Sequence, residues 1–99
     1  MSATIKIGEL SRQTGSAVVE LSRAIAVAEA DGPAAGLAIA DRLRLDDYAD
    51  LHAARADLLG RLGRTAEAQA AYGRAIALAT DEPERRLLER RLAALTAGP

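Results

Sequence analysis

The sequence contains no cysteine, phenylalanine or tryptophan, and only two tyrosines and three prolines among its 99 residues. The absence of cysteine excludes a disulfide framework, a thiolate metal site and a thiol nucleophile. Because aromatic side chains are so scarce, any core must be aliphatic, and a chain of this length forms one modest core. Alanine and leucine favour helix, and strand-forming residues are few and scattered. The composition therefore predicts one all-α domain over residues 1–99.

An excess of either charge and a long apolar run are also missing. The chain has 13 basic and 14 acidic residues, for a net charge of -1, whereas nucleic-acid-binding domains usually have a marked basic excess. No apolar run approaches the roughly 18–20 residues that cross a bilayer, and the N-terminus lacks the apolar core of a signal peptide. We therefore expect a cytoplasmic protein that neither enters a membrane nor binds DNA directly.

Glycine and proline divide the chain into segments of helical length. Six helices are predicted, at about residues 3–14, 17–30, 33–44, 48–62, 65–79 and 82–96. Because the connections are short, neighbouring helices are expected to be antiparallel. The pattern predicts two hairpins, at about 17–44 and 48–79, followed by a capping helix at about 82–96.

Helical spacing predicts which side of each segment is buried. In the second segment the expected buried stripe is Val18, Leu21, Ile25 and Ala28. In the fifth segment it is Ala68, Ala71, Tyr72 and Ala75. The small side chains there let helices approach closely, and the tyrosine is expected to fill the gap between hairpins.

Acidic residues before two segments predict N-terminal caps. Asp46 and Asp47 precede the fourth segment, and Asp47 with Asp50 forms a capping-box pattern. Asp81 and Glu84 have the same spacing at the start of the sixth segment.

The second hairpin resembles a tetratricopeptide repeat. The matching residues are the turn glycine Gly63, the pair Glu67 and Ala68, the aromatic Tyr72, and Ala75 and Leu78. The sequence departs from the repeat at His52, Arg55 and Thr80, where the repeat prefers Trp, Leu and Pro. Gly32 marks the equivalent turn of a shortened first hairpin. The resemblance implies a right-handed stack of hairpins with a concave groove, a fold that binds partners.

Nearly the whole chain is also similar to the C-terminal extension of a group of extracytoplasmic-function RNA polymerase sigma factors. The similar runs are TGSAVVELSRAIAVAEADGPAAGLA at 14–38, ADLLGRLGRTAEAQAAYGRAIAL at 56–78 and EPERRLLERRLAAL at 82–95. This similarity implies a regulatory or structural module for transcription initiation, whose partner is a protein or peptide such as the sigma-factor domains or RNA polymerase. The sequence leaves a homo-oligomer open. The sequence lacks the sigma domains, which make the polymerase and promoter contacts in that family. No residue of this sequence is therefore assigned to polymerase or promoter binding.

The N-terminus supplies an alternative function. The run IKIGELSRQTG at residues 5–15 resembles the opening of MerR-type DNA-binding domains. Those domains continue with a recognition helix that carries Arg and paired Tyr, whereas SAVVELSRAIAVAE follows here, with one Arg and no Tyr. A MerR-like transcriptional regulator is therefore kept as the alternative interpretation.

The pattern predicts no catalytic residue, no cofactor and no metal site. The only histidine, His52, has Asp47 and Asp50 nearby without the convergence that a metal needs, and no G-x-S-x-G motif is present. We therefore expect a protein that is not an enzyme.

In tetratricopeptide-like stacks the first helix of each hairpin lines the groove. The polar candidates on those helices are Glu20, Arg23, His52 and Arg55. Because arginine binds carboxylates through two parallel hydrogen bonds, the predicted ligand is an acidic or C-terminal peptide segment.

Overall fold

The computed structural model describes residues 18–43 and 47–97, and all regular structure in these ranges is helical. The helices are α1 at 18–31, α2 at Pro33–Ala40, α3 at Ala49–Arg61, α4 at Thr65–Leu78 and α5 at Glu82–Ala97. The predicted all-α fold is confirmed, and these five helices correspond to the last five predicted segments. The third segment is predicted to extend to about residue 44, whereas α2 ends at Ala40 and residues 41–43 are not helical. The segment predicted at 3–14 and the MerR-like run at 5–15 lie outside the described residues. None of the helices described is long and apolar enough to cross a membrane.

Two glycines close the turns of the hairpins. Gly32 has φ 101° and Gly63 has φ 77°, in the left-handed region that favours glycine. The Gly32 amide donates to the Ala28 carbonyl at 3.0 Å, and the Arg64 amide donates to the Leu59 carbonyl at 2.9 Å. These bonds satisfy carbonyls at the ends of α1 and α3, so each following helix starts within a few residues and runs back along its predecessor.

Helices α1 and α2 pack through small residues. A Cβ added to Gly36 of α2 would lie 2.6 Å from both the Ala24 carbonyl oxygen and the Ala28 Cβ. Leu21, Ala24 and Ala28 are accordingly buried. The predicted stripe of α1 is wrong in part, because Val18 and Ile25 are 41% and 47% exposed. Helix α2 approaches the side of α1 that carries the alanines and leaves the branched residues uncovered.

The hairpin of α3 and α4 forms the larger part of the core. Leu59 of α3 is 1% exposed, and Ala68 and Ala75 of α4 are fully buried. Tyr72 and Ala71 are buried beside them, and Ala70 is exposed, so the predicted face of α4 is confirmed. Helix α5 covers this hairpin with Leu88 buried and Leu92 and Leu95 half-buried, as expected of a terminal helix.

The two predicted caps have different outcomes. The Glu84 amide donates to the Asp81 carboxylate at 2.8 Å, which confirms Asp81 as the cap of α5. The prediction of Asp47 as the cap of α3 is wrong: the N-cap residue is Tyr48, whose side chain makes no capping hydrogen bond. Asp47 lies one residue too early, and Asp46 lies outside the described residues.

Helices α1 and α3 run in the same direction. Leu21, near the start of α1, packs in one cluster with Leu51, near the start of α3. Glu29, near the end of α1, forms an ion pair with Arg61, the last residue of α3, at 3.4 Å.

Helix α5 is parallel to α3 as well. Asp50 and Glu84, in the first turns of α3 and α5, are close enough for the charge of Asp50 to raise the pKa of Glu84. Near the ends of the same helices, a Cβ on Gly60 would contact the Leu95 side chain at 3.5 Å. The alternate helices α1, α3 and α5 thus have their N-termini at one end of the molecule.

Candidate functional site

The parallel helices α1, α3 and α5 line a groove with a volume of about 400 Å³. Its apolar lining is Val18, Leu21, Ile25, Ala28, Ala53, Ala54 and Leu58. Its polar and charged lining is Ser22, Glu29, Tyr48, Asp50, Asp57, Arg61 and Arg91. We call this surface the inner groove.

The shape of the inner groove follows from the side chains at helical spacing. Ala53 and Ala54 leave the surface of α3 low, because a methyl group projects little beyond the backbone. On α1, Val18 and Ile25 are seven residues apart, which is about two helical turns, so they project on the same side as an apolar wall. The inner groove therefore has an apolar centre with charged residues toward its two ends.

Arg61 organises the end at which α1 and α3 terminate. Its Nη2 lies 3.0 Å from Asp57 Oδ2, one turn earlier on α3, and its Nη1 lies 3.4 Å from Glu29 Oε1 on α1. The side chains of Arg61 and Asp57 are nearly half exposed and that of Glu29 is 67% exposed, so the ion pairs themselves add little stability. Their effect is to hold two carboxylates around a single guanidinium at this end.

Tyr72 of α4 lies beside this end of the inner groove. It lines an adjoining cleft with Asp57, Arg61 and Arg91. Burial raises the pKa of the Tyr72 hydroxyl, Asp57 raises it further, and Arg91 opposes the shift. The Tyr72 hydroxyl is thus influenced by both of these charged side chains.

The other end of the inner groove is acidic. Burial raises the pKa of Glu84, and the nearby carboxylates of Asp50 and Asp81 raise it further. Burial and the neighbouring Asp50 likewise raise the pKa of the Tyr48 hydroxyl. Neither Asp50 nor Glu84 forms an ion pair with an arginine or lysine of residues 18–43 and 47–97. Two neighbouring carboxyl groups thus have no ion pair with a cation among the described residues.

The four residues predicted for the groove lie elsewhere. Glu20 and Arg23 of α1 form an exposed ion pair with each other at 3.4 Å. The Nε of Arg55 lies 2.7 Å from Asp41 Oδ1, which ties α3 to the end of α2. His52 and Arg55 together line two other clefts, one against the end of α2 and one against α4. None of the four is among the residues that line the inner groove.

The rotation of α3 about its axis explains this difference. Leu59 is 1% exposed because it faces α4, and His52 and Arg55 lie on the same side of α3, at seven and four residues before it. Asp50, Asp57 and Arg61 lie on the side that faces α1 and α5, and sequence reasoning missed them as site residues. Predicting the rotation of α3 about its axis would have required knowing that Leu59 is buried against α4.

The described residues contain no group of three or more histidine, aspartate or glutamate side chains that could hold a metal ion. The side chains that line the inner groove offer apolar contact, hydrogen bonding and ion pairing.

Comparison with known proteins gives one informative match. The sequence matches no family model, and no solved structure matches it. A protein of Rhizobium meliloti (strain 1021) that is described as uncharacterized is 45% identical over 92 residues. The match covers 91% of this chain but 22% of that protein. The chain thus spans about a fifth of the length of this curated relative.

Proposed function

We propose that this chain is a non-catalytic protein-interaction module that holds a segment of a partner protein in the inner groove. The observation that carries the proposal is the exposure of Val18 and Ile25, at 41% and 47%, on the wall of a concave surface. Apolar side chains that are left uncovered in a groove are typical of sites that receive an amphipathic helix. Stacked helical hairpins commonly use such surfaces for binding.

The partner that best fits the sequence is the rest of a sigma factor. The similarity of runs 14–38, 56–78 and 82–95 to sigma-factor extensions supports a role in the control of transcription initiation. The Rhizobium meliloti protein supports a modular role, because the matching region forms 22% of a longer chain. In this proposal the module binds the sigma-factor domains and so influences their contacts with RNA polymerase.

The positions of the side chains also support a role without catalysis. Ser22 lines the inner groove, but His52, the only histidine in the sequence, lines clefts on the opposite side of α3. Ser22 therefore has no imidazole that could act as its general base.

A binding measurement tests the proposal. The chain is titrated by calorimetry with the part of the Rhizobium meliloti relative that lies outside the matching region. We expect Ile25→Asp to weaken binding about tenfold or more, because it places a charge on the apolar wall. The matched control is Val19→Asp, at a residue of the same helix that is 64% exposed and does not line the inner groove.

Circular dichroism of both variants confirms that the helices are intact. The proposal is contradicted if the parent chain does not bind. It is also contradicted if the two variants weaken binding equally, since the inner groove would then have no special part in the contact.

A further inference from the structure

We propose that the inner groove selects a cationic partner segment. The expected occupant is an amphipathic helix whose apolar residues pack on Val18, Ile25 and Ala54. A lysine or arginine of this helix lies beside Asp50 and Glu84. This inference rests on the proposed function, because it names the chemistry of the segment that the module binds.

The charges that line the inner groove favour a cation. They comprise the carboxylates of Glu29, Asp50 and Asp57 and the guanidinium groups of Arg61 and Arg91. The single Arg61 serves both Glu29 and Asp57, at 3.4 and 3.0 Å. Glu84 adds a further carboxylate beside Asp50. The acidic charge therefore exceeds the basic charge, and the excess lies at the end where the helices begin.

Burial raises the pKa of Glu84, and the neighbouring charges of Asp50 and Asp81 raise it further. Ionised carboxylates near one another repel, so the charge at this end of the inner groove is unfavourable as it stands. A cation next to the pair would relieve the repulsion. A neutral segment would leave it unchanged, and an acidic segment would increase it.

Some carboxylates outside the inner groove form ion pairs with arginines of the same chain. Arg55 pairs with Asp41 at 2.7 Å, and Arg64 pairs with Glu67 at 2.6 Å. These carboxylates are already neutralised from within the chain. Asp50 lines the inner groove together with the exposed Val18 and Ile25 and forms no ion pair with a described arginine, so one cationic amphipathic partner would satisfy both its carboxylate and the apolar wall.

The length of the inner groove determines how long the bound partner segment can be. From Asp50 to Arg61 the helix α3 rises about 16 Å, or three turns. A partner helix of similar length would place its cation at the Asp50 end. At the other end, it would meet the Arg61 and Arg91 side chains, where a polar or acidic residue fits better. The expected occupant is a short helix with a basic end.

The test uses two synthetic amphipathic peptides of about four helical turns. They share one face of leucine and alanine, and one carries two lysines where the other carries two glutamates. Each is titrated into the isotope-labelled chain, and amide chemical shifts are followed by NMR. We expect the lysine peptide to change the amide chemical shifts of Ile25, Ala53 and Asp50. At low salt it should bind about tenfold more tightly than the glutamate peptide. This advantage should shrink as salt screens the charges.

Charge-neutralising variants identify the carboxylates responsible. Asp50→Asn combined with Glu84→Gln should remove the preference for lysine while the apolar contact remains. Glu89→Gln is the matched control, because Glu89 is exposed on α5 and does not line the inner groove. It should leave the preference unchanged.

The outcomes separate this inference from the proposed function. If both peptides shift the residues of the inner groove with equal affinity, the groove binds helices but the charge selectivity is wrong. If neither peptide shifts these residues, the proposed function itself fails. If the free chain self-associates in sedimentation and Ile25→Asp prevents it, the occupant is a second copy and the inference is overturned.

Discussion

Gly36 lies so close to Ala28 that a Cβ at Gly36 would be 2.6 Å from the Ala28 Cβ. The same Cβ would be 2.6 Å from the Ala24 carbonyl oxygen, which belongs to the backbone and cannot rotate away. We therefore expect Gly36→Ala to force α1 and α2 apart, although alanine is the better helix former. The expected cost in the free energy of unfolding is about 1–3 kcal/mol, measured by urea denaturation.

Gly73 provides the matched control. It lies within α4, and a Cβ there would meet no atom within 4 Å. Gly73→Ala should stabilise the chain by about 0.4–1 kcal/mol, because it reduces the freedom of the unfolded state without strain. Equal effects of the two substitutions would show that α1 and α2 are not in close contact.

The buried face of α4 is tested by replacing single alanines with the larger leucine. Ala68 is fully buried, whereas Ala70 is exposed two residues later. Ala68→Leu is expected to cost about 1–3 kcal/mol through overpacking, and Ala70→Leu should change stability little. If the denaturation midpoints of these two variants agree, the assigned face is incorrect.

Tyr72 should be the most important aromatic residue for stability. It is 5% exposed and belongs to the main core, whereas Tyr48 is half-buried at the edge of the smaller cluster. Tyr72→Ala is expected to cost about 3–5 kcal/mol, measured by thermal or urea unfolding. Tyr48→Ala should cost less, and the reverse order would contradict the packing described.

The two acidic residues before α3 and α5 should differ in their effect. Asp81 accepts a 2.8 Å hydrogen bond from the Glu84 amide, so Asp81→Ala should lower the free energy of unfolding by about 1 kcal/mol. Asp47 lies outside the N-cap position of α3, where no side chain caps the helix. Asp47→Ala should have little effect, and a similar loss in both variants would show that Asp47 caps α3 after all.

Glu84 should make stability depend on pH. Its pKa is raised in the folded chain by burial and by Asp50 and Asp81. The folded state therefore holds a proton at pH values where the unfolded state has lost it, and stability falls as pH rises through the raised pKa. Glu84→Gln should be more stable than the parent at neutral pH, and the difference should vanish as pH falls below the ordinary carboxyl pKa of about 4.3.

Urea unfolding at a series of pH values measures this difference, with Glu89→Gln as the exposed control. If Glu84→Gln raises the free energy of unfolding by as much at low pH as at neutral pH, the protonation of Glu84 is not the cause of the stability difference.

The helices of this chain could be predicted closely from its sequence because their ends carry local signals. Gly32, Pro33 and Gly63 act through backbone geometry that does not depend on distant residues. The predicted bounds 65–79 and 82–96 consequently differ by one residue from Thr65–Leu78 and Glu82–Ala97. The buried face of α4 could be predicted as well, since a run of alanines allows one close approach.

The exposed wall of α1 could not be predicted in the same way. Hydrophobic spacing shows which residues are apolar, and it does not show which of them a neighbouring helix will cover. Val18 and Ile25 have the spacing of a core stripe, but Gly36 brings α2 onto the Ala24 and Ala28 side instead. The wall is a product of tertiary packing.

The sequence predicted a groove on the first helices of the two hairpins, and those helices, with α5, line the inner groove. The four predicted residues do not line the inner groove, because one residue along a helix changes the direction of the side chain by about 100°. His52 and Arg55 are two residues away from Asp50 and Asp57, and they point into other clefts. Orienting α3 required knowing that Leu59 faces α4.

The position of α3 between its neighbours has a consequence for hydrogen exchange. Helix α3 contributes Leu51 to the smaller cluster and Ala56, Leu58 and Leu59 to the main core, so it is packed on the side of α1 and α2 and on the side of α4. In a linear stack, opening starts at the ends and spreads inward. The amides of α3 should therefore exchange most slowly, and those of α1 and α5 should exchange first. A partner in the inner groove would join these two outer helices to the central one, so binding should be detectable as a slowing of exchange at both ends of the chain at once.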